Sequence, residues 1–459
     1  MKWIVSSILC LFISIGLIVP SPSALGLTLQ EAREEAVKAY WGVKIAHEQF
    51  IEAESERKEH FTDLFPKLNL DGNLTSYNKP SEFLLSQGEF STSNLLGNTF
   101  SFPAEDTLIS ITNRTTYQFG PSLEQPVFAG GRLYFGFRQS QAMEEEANWN
   151  EKQAVNDLLF DVEKAYLGVL QAVAEKKVAE KDLEYFKKLR SDVEQKFKAG
   201  RNTLDDVLKV ELKEAKSEQN LLSATSEVQI KNGQFNLLIV RPVDASASLE
   251  PVPDLPPVAI DLIGALSLAQ SHRPDLQEAL ASFNAAGFSR RVAESSYYPQ
   301  VNTGAKWYRQ DVSPSQVDQQ RWLIFLTADW NVWEWGGTNQ RVEQANANLR
   351  RADFEVQQLS DRIQLDVHQA WLKLDESEKQ IQVAASAVEH AKEDLRVVEL
   401  GYHGGVKTIT DLIEAEAVLS QAELADLRAH FTAQIARATL RHSIGIMDEE
   451  SIARAGGSN

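Results

Sequence analysis

Tyr402-His403-Gly404-Gly405-Val406-Lys407-Thr408-Ile409-Thr410-Asp411-Leu412-Ile413-Glu414 decides the fold, because the chain carries this pattern twice. The earlier copy, Phe197-Lys198-Ala199-Gly200-Arg201-Asn202-Thr203-Leu204-Asp205-Asp206-Val207-Leu208, lies 205 positions upstream. Each copy interrupts a long helical pattern at the same point. Gly200 and Gly405 suit left-handed caps that end an incoming helix. Thr203 and Thr408, each three residues before an aspartate, suit the start of the next. Each copy therefore reads as the tip of a helical hairpin.

The flanking segments set the scale. Gly131–Lys198 runs 68 residues without proline and Gly337–Tyr402 runs 66, so each predicts a straight helix of about 100 Å. Ile381, Ala384, Val388, Ala391, Leu395, Val398 and Tyr402 follow heptad spacing, the seam of a coiled coil. After the tips, Thr203–Leu238 and Thr408–Ile444 predict return helices of roughly 55 Å. Leu27–His60 and Asp261–Tyr297 predict one helix each of about 50–55 Å, ending at Phe65-Pro66 and Tyr298-Pro299, where proline restricts the preceding residue. Two half-length helices stacked end to end match one full-length helix. The expectation is a cylinder of antiparallel helices with the tips at one end.

Next to those prolines the period changes to two. Leu68, Leu70 and Leu74 alternate with Asn69, Asp71 and Asn73, and Tyr117, Phe119, Leu123 and Val127 with Thr116, Gln118, Ser122 and Glu124. In the second half Val301, Thr303, Ala305 and Trp307 alternate with Asn302, Gly304 and Lys306, and the pattern returns from Ile324 to Trp333. Strands of this length, apolar on one face with aromatics near their ends, suit a lipid-facing barrel, although a half-buried soluble sheet uses the same alternation. Four strands cannot close a barrel, and an open edge in lipid leaves backbone groups unpaired. Two chains pool eight strands and three pool twelve; the residues leave that number open. Trp322, Trp330, Trp333 and Trp335 read as an interfacial aromatic belt.

The doubling is general. Phe65-Pro66-Lys67-Leu68-Asn69 aligns with Tyr298-Pro299-Gln300-Val301-Asn302 at offset 233, whereas Asp161–Leu167 aligns with Asp366–Leu372 at offset 205. The first copy thus carries 28 extra residues, placed between about Ser76 and Arg114 and read as a polar loop. Between the copies, five prolines from Pro242 to Pro257 make a stiff, donor-poor linker. The division is a signal peptide over 1–26, a first repeat over 27–240, a linker over 241–260, a second repeat over 261–445 and a tail over 446–459.

The signal reading rests on Lys2, the apolar run Ile4–Val19, and the small residues Ala24 and Gly26 before a cut at Leu27. Cys10, the only cysteine, lies inside that run, so the mature chain has no thiol or disulfide chemistry. The formal charge is −19, and loss of Lys2 deepens it by one; such acidity disfavours nucleic acid as a partner. No nucleophile–base or metal-ligand spacing stands out, and Gly130-Gly131 and Gly336-Gly337 read as strand-to-helix bends. No cofactor, metal or enzymatic activity is expected.

Signal, two helix–strand–strand–helix–helix repeats and the G-x-x-T-[LI]-x-D-[VL]-[LI] tips together resemble the outer membrane efflux protein family, the TolC-like exit ducts, from Leu27 to about Gly445. The resemblance implies a mainly α chain with a membrane β-barrel. In that family three protomers form a twelve-stranded barrel in outer-membrane lipid, continued by a periplasmic α-helical barrel. It also implies a homotrimer that works with a periplasmic adaptor and an inner-membrane pump. In the family a tyrosine and a basic residue at the second tip link to an aspartate of the first tip and close the periplasmic entrance. These correspond to Tyr402, Lys407 and Asp206. Where arginine is usual, Lys407 keeps the charge but loses the bidentate fork. The family's constriction ring corresponds to Asp411 and Glu414, which share one helix face and in a trimer favour cations. Asp206 and Asp411 also suit plain capping of their own helices. Gly200, Thr203, Leu204, Gly405, Thr408 and Ile409 are the implied adaptor contacts. A soluble periplasmic coiled-coil scaffold or adaptor is the alternative that the helices alone allow.

Overall fold

The computed structural model describes residues 26–79, 82–85, 107–110, 115–252, 260–311 and 320–447. The expected signal peptide up to Leu25, the middle of the expected linker and the expected tail beyond Met447 lie outside the described residues. The elements follow the order α1 (Leu29–Ala39), α2 (Trp41–Thr62), β1 (Lys67–Ser76), β2 (Glu82–Leu85), β3 (Thr107–Ser110) and β4 (Thr115–Ala129). Then come α3 (Arg132–Lys198), α4 (Leu204–Leu238), α5 (Leu262–His272), α6 (Pro274–Glu294), β5 (Gln300–Asp311), β6 (Gln320–Asp329), α7 (Gly337–His403) and α8 (Ile409–Ile444).

The long helices run 67 residues each, close to the proline-free stretches that define them. The helices before the strands differ from expectation: each is two helices. The breaks fall at Tyr40 and Arg273, both extended, with φ/ψ of −65°/131° and −66°/117°. These positions are equivalent at offset 233. At Arg273 the cause is local, since Pro274 disfavours a helical residue before it and opens α6. The insertion also differs from a plain loop, because β2 and β3 pair antiparallel within it.

The described residues divide into two compact units. One takes the described parts of Met1–Lys44, Gln153–Arg273 and Ile363–Asn459; the other takes Ile45–Lys152 and Pro274–Arg362. Each unit draws on both sequence repeats.

The second unit holds an antiparallel four-stranded sheet in the order β1-β4-β5-β6. Its register places Leu68 opposite Leu123, Leu70 opposite Pro121, Leu74 opposite Tyr117, Leu123 opposite Ala305 and Ala305 opposite Ile324. Trp307 faces Trp322, so one face carries an apolar band across all four strands, flanked at its ends by the Gln125–Thr303 and Arg309–Gln320 pairs. The other face carries Asn69 opposite Ser122 and Ser122 opposite Lys306. There Ser122 Oγ donates to Asp71 at 2.6 Å and Lys306 pairs with Glu124 at 3.3 Å. Leu70, Ile324 and Leu326 are exposed. Strands β1 and β6 are the sheet's edges. Among the described residues no helix is long and apolar enough to cross a membrane.

In the first unit, Ala32, Ala36, Val162, Tyr166, Val169 and Phe235 are fully buried in one core. Leu27 bridges the linker, donating its N–H to Ser248 O at 2.8 Å and accepting from Glu250 N at 3.1 Å. Tyr166 Oη donates to the carbonyls of Leu27 and Glu250 at 2.8 and 2.7 Å. The buried Glu163 carboxylate takes Arg33 on one oxygen and Arg441 on the other, each at 2.5 Å. A buried charge needs such pairing to be tolerated. The triad ties α1, α3 and α8 together. Ile446 and Met447, the start of the predicted tail, are buried.

Candidate functional site: the paired helix tips

Both tips are built the same way. In the first, Gly200 adopts φ +71°, Arg201 N donates to Lys196 O at 2.8 Å and Gly200 N to Phe197 O at 2.9 Å. In the second, Gly405 adopts φ +75°, Val406 N donates to Gly401 O at 2.8 Å and Gly405 N to Tyr402 O at 3.1 Å. This is the Schellman ending, which satisfies the last carbonyls of a helix through a left-handed residue. A Cβ on either glycine would meet nothing within 4 Å. The backbone conformation, not crowding, therefore selects glycine.

The return helices start with capping boxes. Thr203 N donates to Asp206 Oδ2 at 2.9 Å while Asp206 N donates to Thr203 Oγ1 at 3.2 Å. Thr408 N donates to Asp411 Oδ2 at 2.7 Å, Thr408 Oγ1 to the same oxygen at 2.8 Å, and Asp411 N to Thr408 Oγ1 at 3.2 Å. The Thr408 backbone N–H, then its hydroxyl, hold the Asp411 carboxyl below the usual carboxylate range; Lys407 adds a smaller pull.

Beneath the tips α3, α4, α7 and α8 share a core of Phe186, Leu189, Val193, Val207, Val210, Val398, Ile409, Leu412, Ile413 and Ala415. Tyr185, Leu395 and Tyr402 pack against it half-buried. The packing thereby joins the tips of the two repeats, although they are 205 positions apart in sequence.

Tyr402 is the polar centre of that junction. Its hydroxyl accepts a 3.2 Å hydrogen bond from Asn202 Nδ2, and Lys196 Nζ lies 4.6 Å from its ring centroid. Neither Asn202 nor Lys196 carries a local sequence pattern that predicts this role. Asp206 faces its own Thr203, and the polar partner brought to Tyr402 within one chain is Asn202. A second link joins the tips where Lys209 Nζ donates to Thr410 Oγ1 at 3.5 Å, while pairing with Asp205 at 2.7 Å.

Lys407 is exposed and lies along Gly401, where an added Cβ would come within 2.6 Å of Lys407 Cγ. Asp411 is half-buried and Glu414, one turn further along α8, is exposed. Of the six expected contact residues, Gly200, Thr203, Leu204, Gly405 and Thr408 are exposed. Ile409 is only 2 % exposed and belongs to the core under the tips. A further carboxylate stands just below: burial, then the charges of Asp182, Glu399 and Glu423, push Glu416 up to about 7.

The tryptophans are exposed, at 72 % for Trp322, 58 % for Trp330, 72 % for Trp333 and 89 % for Trp335. Strand β6 ends at Asp329, so the alternation read as far as Trp333 overshoots it. Trp330 Nε1 instead donates to Tyr297 O at 3.2 Å, and Trp333 meets Trp335 edge-on at 5.8 Å.

Comparisons with known proteins agree with this architecture. The family model described as Outer membrane efflux protein matches residues 45–238 and 265–446. The chain is 22 % identical over 314 residues to outer membrane protein TolC of Salmonella enteritidis, covering 64 % of this chain and 62 % of that one. It is 19 % identical over 354 residues to outer membrane efflux protein BepC of Brucella suis biovar 1 (strain 1330), covering 74 % of each. The matched stretch thus spans less than two thirds of the Salmonella protein. The fold is similar to the CmeC outer membrane channel of Campylobacter jejuni, with TM-score 0.77, 14 % identity and coverage of 94 % and 89 %. It is also similar to the open state of the MtrE outer membrane channel of Neisseria gonorrhoeae, with TM-score 0.73, 18 % identity and coverage of 91 % and 89 %. With both repeats matched, the chain belongs to the outer membrane efflux protein family, the TolC-like channels of the outer membrane, which are not enzymes.

Proposed function

We propose that three copies of this chain form an export duct. Their strands close a twelve-stranded barrel in outer-membrane lipid, and their helices continue it as a periplasmic conduit that the tips close. The observation that carries this reading is the four-stranded sheet, with an apolar band across one face of every strand and with β1 and β6 left as edges. In hydrocarbon an unpaired strand edge costs several kcal/mol per group, so such a sheet needs further strands to close on itself. Pairing β6 of one copy with β1 of the next supplies them, and family membership supports three copies.

At the closed end the duct holds Tyr402, Lys407 and Asp206 as the lock, with Asp411 and Glu414 as a cation-favouring ring. The exposed Gly200, Thr203, Leu204, Gly405 and Thr408 receive a periplasmic adaptor, which couples the duct to an inner-membrane pump. The Trp322, Trp330, Trp333 and Trp335 cluster lies at the membrane interface. Fractionation of cells expressing the full chain tests this reading. The expected result is an outer-membrane species that migrates as a trimer unheated and as a monomer after boiling. A soluble periplasmic monomer contradicts it and favours a coiled-coil scaffold.

A further inference from the structure

We propose that Lys196 and Asn202 are positioning residues of the gate, forming an intrachain latch that grips Tyr402 from two sides and binds the first tip to the second. The inference rests on the reading of the tips as a gate and adds residues to it that neither the sequence pattern nor the family match assigns.

Tyr402 occupies the last turn of α7, and Lys196 the last turn of α3. Asn202 stands in the connection between Gly200 and the Thr203 cap. An ammonium over the ring face is attracted by the quadrupole, and Lys196 is held there by Asp192 Oδ2 at 2.7 Å on its own helix. The Asn202 amide fixes the hydroxyl end at 3.2 Å. Ring face and hydroxyl are thus held by different parts of the first tip, and Tyr402 can neither tilt nor slide without losing one of them. Both contacts are weak singly and partly exposed. A latch of this kind is stiff enough to bias the tip yet reversible, as a gate requires.

The two contacts separate chemically. Tyr402→Phe removes the acceptor for Asn202 and keeps the ring for Lys196. Lys196→Arg keeps a cation over the ring, whereas Lys196→Met keeps the apolar stem and removes the charge. A merely space-filling Lys196 tolerates both replacements equally.

The test uses the full chain purified in detergent, read in two ways: hydrogen exchange of the amides from Gly200 to Asp206, and single-channel conductance in planar bilayers. Lys196→Met and Asn202→Ala should each speed exchange at the tip by roughly three- to tenfold and raise conductance, while Lys196→Arg stays near wild type. In a Tyr402→Phe background Asn202→Ala should add nothing, while Lys196→Met still acts. Unchanged exchange in both single variants overturns the latch. Faster exchange with unchanged conductance overturns its role in gating. Wild-type protein that never conducts overturns the duct reading instead, and the exchange measurements then decide the latch alone.

Discussion

Thr408 and Asp411 satisfy each other at the start of α8, the threonine N–H reaching the carboxylate at 2.7 Å and the aspartate N–H reaching the hydroxyl at 3.2 Å. Asp411 is therefore a helix cap, and the proposed ring of carboxylates draws on the same residue. Capping and ring chemistry are separable. Asp411→Asn retains an oxygen for Thr408 N–H and removes the charge, so it should preserve the tip and lower cation selectivity. Asp411→Ala with Glu414→Ala should also reduce block by trivalent cations. Reversal potentials in a salt gradient measure the first effect and current titrations the second. Thr408→Ala removes the cap without touching charge and should cost about 1 kcal/mol of local stability, read as faster exchange at the start of α8.

The lock makes a second expectation. Tyr402→Phe loses the hydroxyl that Asn202 holds, and Lys407→Ser removes the basic side chain lying along Gly401. Together they should raise single-channel conductance above wild type. Conductance that stays at the wild-type level returns both residues to ordinary tip packing.

The core below the tips should respond to pH. Glu416 is pushed up from 4.5 to about 7 by burial and by Asp182, Glu399 and Glu423. Ser217 Oγ donates to Asp182 at 2.6 Å, and Lys392 reaches Glu423 at 3.8 Å. A group whose pKa rises on folding binds more protons folded than unfolded, so stability falls as pH rises. The contribution is fully present below about 4.5 and is lost through about 7. Protection of the α8 amides from Ile409 to Glu423, taken relative to their pH-dependent intrinsic exchange rates, should fall between pH 5.5 and 8.5. Glu416→Gln, which fixes the uncharged form, should flatten that dependence.

The apolar sheet face can be tested with single charges. Leu70→Lys or Leu326→Lys places an ammonium among Leu68, Leu123, Ile324 and their neighbours and should prevent assembly. The cost at mid-bilayer is about 2–4 kcal/mol per residue in each copy. Asn302→Lys, on the opposite face, should assemble normally. The heat-sensitive oligomer on gels distinguishes them.

The parts legible in the sequence are those governed by local periodicity and punctuation. Gly200 and Gly405 carry the left-handed endings, Thr203 and Thr408 carry the caps, and the heptad residues Ala391 and Val398 are buried in the seam. The alternation at Leu68–Leu74 and Val301–Trp307 falls on paired strands with a shared apolar face. The breaks at Tyr40 and Arg273, equivalent at offset 233, fall outside that reading, which predicts one helix over each stretch; Pro274 is the local signal for the second break, and Tyr40 by itself carries none. The Asn202–Tyr402 contact had no local signature at all, because residues 200 positions apart meet only through the shared core. For the same reason Ile409 looked like its exposed counterpart Leu204, although packing against Val193, Val207 and Val398 buries it.

If copies of this chain close into a conducting duct, planar-bilayer recording of the purified, heat-sensitive oligomer detects it. The expected result is discrete, cation-preferring current steps that grow when Tyr402 and Lys407 are replaced together. Protein that yields no steps in wild-type or doubly substituted form, at amounts sufficient for insertion, contradicts it.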